Sequence, residues 1–300
     1  MKLPKFECPG HFVEYFARNP AIAKGLKGQQ KKDCEYIAEQ IDLIYGNNKA
    51  MSPIEHFRPN FPQSLLLYQL NGQGQMPRVL MLEGANKTGK STLGVAWQIA
   101  MACGQFPWLN PKLQYNFVDG VKYWHFDFSK RWREYRKINE YLGFSSYNEL
   151  SDKFFDLKRL CPKLQVPNVN IALGETYTES VDKDLVPKYI SEIDGMIPKR
   201  WKPKSKKNQQ GIVARIKLEG NGPGRGSLFH FRSYKSPSEE FEGIDASGSI
   251  LFNEPPPQDI VTAVNRGALP KDTRALYAYT ALKEAWLYRD YVNRASRWLV

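Results

Sequence analysis

The chain has 300 residues, 42% hydrophobic, 13% aromatic and 25% charged. That composition buries a sizeable core and excludes a disordered tail, a collagen-like fibre and a coiled coil. Forty-three Lys and Arg against 31 Asp and Glu leave a net charge of +12, which favours polyanionic partners, nucleic acid first.

Residues 1–57 read as mostly helical, with Ile37, Ile41 and Ile44 at helical spacing within 34–45. Residues 58–63 read as a loop, 65–70 as a helix and 72–77 as a turn. Val79-Leu-Met-Leu82 is a short apolar run, the pattern of a strand buried on both faces. A helix is predicted over 91–103, a strand over 121–128 and a basic, aromatic helix over 130–142. Val169, Ile171 and Leu173 alternate as in a strand. Val181, Leu185, Tyr189, Ile193 and Ile197 fall four apart and predict one amphipathic helix. Residues 199–208 read as a linker or exposed loop. Two alternating runs, 212–218 and 228–234, flank a glycine-rich loop and predict a hairpin. Apolar strands are predicted at 249–252 and 275–280. Strands alternating with helices argue for an α/β domain with a largely parallel sheet flanked by helices. The expected division is 1–57 and 58–300.

No run approaches the roughly 18 apolar residues of a membrane span, and MKLPKFECPGHFVEYF lacks the apolar centre of a signal peptide. A cytosolic location with no membrane partner is therefore expected. Cys8, Cys34, Cys103 and Cys161 form no CxxC pair, so reduced thiols are expected rather than disulfides or zinc. His11, His56, His125 and His230 show no metal-ligand spacing.

Gly84-Ala85-Asn86-Lys87-Thr88-Gly89-Lys90-Ser91 fits G-x-x-x-x-G-K-[ST] between a strand and a helix. In such a P-loop the glycines let backbone N–H groups wrap a phosphate, and the following helix adds its N-terminal partial positive charge. Lys90 would neutralise the β- and γ-phosphates of ATP, and the Ser91 hydroxyl would ligate Mg²⁺. Ser249-Ile-Leu-Phe-Asn253-Glu254 has the form of a Walker B strand, with Glu254 orienting the attacking water. The alternative is that Glu254 ends an edge strand before the prolines. Asn253 stands where Asp is usual and offers a metal an oxygen without a charge, so another acid would have to compensate or metal affinity would fall.

Residues 57 to 291 resemble, in motif order, the large terminase subunit of tailed double-stranded DNA bacteriophages. Arg58-Pro-Asn-Phe-Pro-Gln63 resembles its adenine-contacting segment. Gly84 to Thr92 resembles the subgroup whose loop reads G-G-N-R-S-G-K-[ST]. Ser233-Tyr234 and Phe241-Glu-Gly243 precede the Walker B strand as in that family. Asn265-Arg-Gly-Ala-Leu269 resembles its "RGL" segment, and Thr280-Ala-Leu-Lys-Glu-Ala-Trp-Leu-Tyr288 its "T-P-L-K-E-P-W-x-Y" stretch.

The resemblance implies a P-loop NTPase with a RecA-like sheet, a small N-terminal helical lid and an antiparallel hairpin addition. It implies an ATPase motor that packages double-stranded DNA, assembled as a homo-oligomeric ring on the portal protein with a small terminase subunit, in the host bacterial cytoplasm. ATP and Mg²⁺ are the implied cofactors. Gln63, Gly84, Ala85, Asn86, Lys87, Thr88, Gly89, Lys90, Ser91 and Thr92 would bind nucleotide, and Ser91 and Asn253 the metal. Glu254, Lys90 and Thr280 would be catalytic, Thr280 at the motif coupling hydrolysis to movement. The family's nuclease domain would follow these motifs, and no nuclease activity is expected within these 300 residues.

Several assignments stay open. Lys87 is either a γ-phosphate sensor or a solvated loop lysine, and Arg266 either an arginine finger or structural. The basic runs 130–137 and 199–217 either grip DNA or are solvated faces. The hairpin loop 220–226 is a pore element or a flexible turn. The functional alternatives are another P-loop DNA translocase and, because of Asn253, a nucleotide-gated DNA-binding module with weak or no hydrolysis.

Overall fold

The computed structural model describes residues 5, 15, 19–57, 59–85, 87–110, 141–144, 147–193, 195–237, 239–242, 244–268, 271, 273–280 and 285–290. The predicted strand at 121–128 lies outside them, as does all but the end of the predicted helix at 130–142. Two compact units divide the chain, Met1–Phe61 with Trp108–Lys153, and Pro62–Pro107 with Phe154–Val300.

The first unit is helical among its described residues. Helix α1 (Pro20–Gly25) opens on a proline, whose missing N–H costs nothing at a first turn. Helix α2 (Gly28–Met51) carries spaced polar pairs, Gln29 donating to Asp33 at 2.8 Å and Lys31 lying 3.7 Å from Glu35. The predicted isoleucine stripe is not the buried one at Ile37, which is 40% exposed, whereas Cys34 one turn earlier is buried. Phe57 meets the Trp108 ring edge-on at 5.0 Å.

The second unit is a seven-stranded mixed sheet. Its strands are β1 (Val79–Glu83), β2 (Val169–Gly174), β3 (Pro203–Lys207), β4 (Val213–Leu218), β5 (Leu228–Ser233), β6 (Ser249–Asn253) and β7 (Arg274–Tyr279), in the order β1-β7-β6-β2-β5-β4-β3. The first five in that order run parallel, and β4 and β3 extend the sheet antiparallel. Helix α3 (Phe61–Leu67) precedes β1, and helix α4 (Lys90–Cys103) follows it.

Every residue of β6 and β7 is buried, as the apolar runs at 250–252 and 275–279 predict, and the polar Ser249, Asn253 and Arg274 at the strand ends are buried with them. On one side Ile171, Ile250, Phe252 and Tyr277 share a core with Val261 and Val264 of helix α7 (Gln258–Ala268). The Phe252 and Tyr277 rings stack at 4.5 Å. On the other side α4 packs against β6. A Cβ at Gly94 would lie 2.6 Å from Leu251 Cδ1, so glycine is what lets the helix approach the strand so closely. Gln98 of α4 donates to the Ile171 carbonyl at 2.8 Å and accepts from the Tyr189 hydroxyl, tying helix to sheet.

The predicted hairpin at 212–218 and 228–234 is β4 with β5. Three local expectations change. Helix α3 starts at Phe61, inside the predicted loop, because Pro62 is tolerated in a first turn. The stretch 199–208, predicted as a linker or exposed loop, contains β3, paired with β4. Its lysines suit an edge strand, where charge blocks further pairing.

The single helix predicted over 181–197 is two elements. Helix α5 (Tyr147–Phe154) comes earlier in the chain. A π-helix (Tyr177–Leu185) then starts where Thr176 accepts the Glu179 N–H at 3.2 Å, and it runs into helix α6 (Val186–Ile190). The chain leaves helical geometry at Ser191, so Ile193 is 93% exposed while Ile197 is buried outside any helix. Four-residue spacing on both sides of Ser191 imitated one continuous stripe.

Candidate functional site

Parallel pairing brings three strand ends to one edge. Leu82 and Asn253 both pair with Ala278, on opposite sides of β7, and Glu83 pairs with Tyr279. The Gly84 N–H donates to the Tyr279 carbonyl at 3.2 Å, and the Glu254 N–H to the Ala278 carbonyl at 2.9 Å. The turn after β1, Thr280 after β7 and the Asn253-Glu254 pair therefore share the carboxyl edge of the sheet. In open α/β sheets that edge is where ligands bind.

The turn at 84–91 is held by side chains of its own residues. Gly89 has φ +82° and caps α4, a backbone conformation that favours glycine. Lys87 shares the left-handed region at φ +63°, and its side chain is exposed. The Thr88 hydroxyl donates to the Ala85 carbonyl at 2.8 Å. Lys90, the first residue of α4, is only 7% exposed. Its ammonium donates to the Gly84 carbonyl at 2.8 Å, the Ala85 carbonyl at 2.7 Å and the Thr280 hydroxyl at 3.1 Å. Gln63 of α3 is buried and donates to the Gly89 carbonyl at 3.4 Å. Ser91 and Thr92 sit half-buried in the first turn of α4. Asn86 lies outside the described residues. Of the predicted nucleotide set, Gln63, Gly84, Ala85, Gly89 and Lys90 are thus joined by hydrogen bonds around one turn, with Thr280 attached.

Asn253 is 3% exposed at the end of β6. Glu254 follows at φ +74°, a conformation unfavourable for a side-chain-bearing residue. Its backbone is held from both sides, by the N–H bond to Ala278 and by the Tyr234 hydroxyl, which donates to the Glu254 carbonyl at 2.9 Å and faces the Asn253 carbonyl at 3.2 Å. Tyr234 is buried. That burial, then Tyr277, Glu254 and Glu175, push its hydroxyl well above the usual tyrosine range, so it stays a donor. Strain of this kind persists where surroundings over-determine it, and it concentrates at functional sites.

Sequence reasoning missed Asp184. It lies in the π-helix after β2, and its Oδ2 accepts from the Asn253 amide nitrogen at 3.4 Å. Lys188 pairs with its other oxygen. No spacing signal connects positions 69 residues apart. The rarity of π-helices, and their frequency at functional sites, is the only local sign.

A second feature lies at the other end of the sheet. Register sets Lys204 opposite Lys217, and Lys206 opposite Arg215, which in turn pairs with His230. These four cationic side chains are exposed, as are Lys199, Arg200, Lys202 and Lys207, while Ile216, Leu218 and Phe229 are buried on the other face. Glu219 comes within 4.0 Å of both Lys204 and Lys217. Burial, then Arg232 and Arg215, hold the His230 imidazole below its usual value. Arg266 is exposed on α7. Of the stretch 280–288, residues 281–284 lie outside the described residues. Trp286 in helix α8 (Ala285–Asp290) donates to the Pro256 carbonyl at 3.2 Å. No helix among the described residues is long and apolar enough to cross a membrane.

No protein-family model matches this chain, and neither a curated protein nor a solved structure matches it.

Proposed function

We propose that this chain is a P-loop ATPase with a RecA-like sheet, the motor domain of a terminase that packages double-stranded DNA. The observation carrying this reading is the convergence of Lys90, Thr280 and Glu254 on one sheet edge, from a G-x-x-x-x-G-K-S turn and two neighbouring strands.

The chemistry follows from the groups present. The Gly84–Lys90 turn would cradle the triphosphate of ATP, with the N-terminus of α4 beneath it. Lys90 has three N–H donors and three acceptors in reach. A phosphate brought to its Nζ competes with them, and the Thr280 hydroxyl is the acceptor that a charged oxygen replaces most readily. Thr280 would thereby report nucleotide state to the segment after β7. Glu254 would orient the attacking water and take its proton. Its backbone is fixed at the sheet edge by the bonds to Ala278 and Tyr234, which sets where the side chain starts. The oxygens of Ser91 and Asn253 at this edge, with the Asp184 carboxylate hydrogen-bonded to Asn253, suit Mg²⁺, which keeps several waters and takes phosphate oxygens. When bound, the metal supplies charge neutralisation to the β- and γ-phosphates.

The ladder of like charges on β3 and β4 supports a DNA partner. Directly opposed cations cost stability, and a phosphate backbone laid across them relieves that cost. The portal protein, the small terminase subunit, the ring and the host cytoplasm belong to this proposal through the motif resemblance. Asn253 favours one second reading, a nucleotide-gated DNA-binding module with little hydrolysis.

The test is Mg²⁺-dependent ATP hydrolysis with and without duplex DNA, for wild type, Lys90→Ala and Glu254→Gln. Turnover stimulated by DNA and lost in both variants is expected. Nucleotide binding with no turnover under any condition would shift the assignment to the gated module. No nucleotide binding at all would overturn both.

A further inference from the structure

We infer that Asp184 is the acid of the metal site, doing from the π-helix what an Asp at position 253 would do from β6. The inference rests on the ATPase reading above. Asn253 closes a strand buried at every position, and its side chain carries no charge. A carboxylate only accepts hydrogen bonds, so the amide must turn its NH₂ toward Asp184 Oδ2, 3.4 Å away. That orientation leaves Asn253 Oδ1, the atom able to ligate a metal, directed away from Asp184. Asp184 thus sets which end of the amide is presented and places a carboxylate beside it.

The fold holds Asp184 there by its own means. Leu173 of β2 pairs with Phe252 of β6, so the segment leaving β2 starts beside the end of β6. The π-helix then anchors through buried Val181 and Leu185, on either side of Asp184 in sequence. The Asp184 side chain remains 41% exposed, open to the water that a hydrated Mg²⁺ keeps in its shell. Lys188 holds the second carboxylate oxygen and its Nζ also donates to the Asp184 carbonyl at 2.9 Å, which restricts the side chain. Acting through Asn253, Asp184 is a positioning residue. Outer partners of metal ligands typically change metal affinity 10- to 100-fold when removed.

The experiment titrates Mn²⁺ into the protein with AMP-PNP, read by electron paramagnetic resonance. A fluorescent ATP analogue measures nucleotide binding in EDTA in parallel. Asp184→Asn should raise the Mn²⁺ half-saturation about tenfold and leave metal-free nucleotide binding and the thermal melt unchanged. Adding Asn253→Asp to Asp184→Asn should restore Mn²⁺ affinity, because the charge returns by the other route. A structural role for Asp184, through its pair with Lys188, predicts no such rescue. Mn²⁺ affinity within twofold of wild type in Asp184→Asn would overturn the inference and leave the ATPase reading intact. Equal loss of metal-free nucleotide binding would also overturn it, by making Asp184 a scaffold residue. Absence of nucleotide binding by wild type would remove the reading and the inference together.

Discussion

Lys90 and Thr280 stand 190 positions apart and are joined by a 3.1 Å hydrogen bond between ammonium and hydroxyl. The contact exists because β1 and β7 are neighbours in register and both end at the same edge. It ties the turn after β1 to the segment after β7.

Thr280→Val keeps the shape of the side chain and removes the acceptor. Nucleotide binding should stay within about threefold of wild type, since Lys90 keeps its phosphate partner, while DNA-stimulated turnover falls at least tenfold. Lys90→Ala should lose binding outright, because the buried cation is the main charge in the turn. Equilibrium binding of a fluorescent ATP analogue, beside steady-state turnover, separates the two.

Glu254 is held at φ +74° at a cost of about 1 kcal/mol relative to glycine. Glu254→Gly should therefore stabilise the fold by about that amount in urea denaturation and abolish hydrolysis. Glu254→Gln keeps the strain, so its stability should match wild type while turnover falls by about 10² or more. A Glu254→Gly variant less stable than wild type would show that the side chain, not the backbone, governs this position.

The β3–β4 ladder predicts salt-dependent binding of duplex DNA. Removing Lys206 and Arg215 together should lower the slope of log K against log salt by about 2, at roughly 0.9 per phosphate. Removing Lys31 and Lys158, exposed elsewhere, should change it by less than half as much.

His230 neighbours this ladder, and its pKa lies below the usual 6.5 because of burial, Arg232 and Arg215. The folded state therefore binds its proton less readily than the unfolded chain. Its contribution to stability is complete above pH 6.5 and declines as pH falls through the lower folded value. Arg215→Ala should raise the His230 pKa and narrow that acid-side loss, as followed by imidazole NMR titration and by thermal melts across pH.

At the amino-terminal edge of the sheet, Asn170 donates to Asn168 at 2.7 Å and to the Leu228 carbonyl at 3.2 Å, and accepts from Ser249 at 2.7 Å. Asn170→Ala should destabilise the fold by about 2 kcal/mol in denaturant titration, because it strands buried polar partners. Nucleotide affinity should be untouched, since the site is at the opposite edge.

The primary sequence on its own determined where the buried strands lie. The runs 250–252 and 275–279 are apolar without interruption and buried throughout, a pattern set by burial on both faces, whereas 79–82 reads the same way yet forms an edge strand with Val79 exposed. It also determined the composition of the 84–91 turn and the polar pair ending β6, because those demands are local. It carried the helix over 181–197 too far, since the chain leaves helical geometry at Ser191 and breaks a spacing that looked continuous. It read 199–208 as a linker, since an edge strand of lysines has no apolar alternation to reveal it. Only the tertiary structure decided that Thr280 meets Lys90, that Tyr234 clamps the strained Glu254, and that Asp184 meets Asn253. Each depends on strand order and register, which arise from side-chain packing between segments far apart in the chain, and local residue patterns carry no record of which distant strand becomes the neighbour.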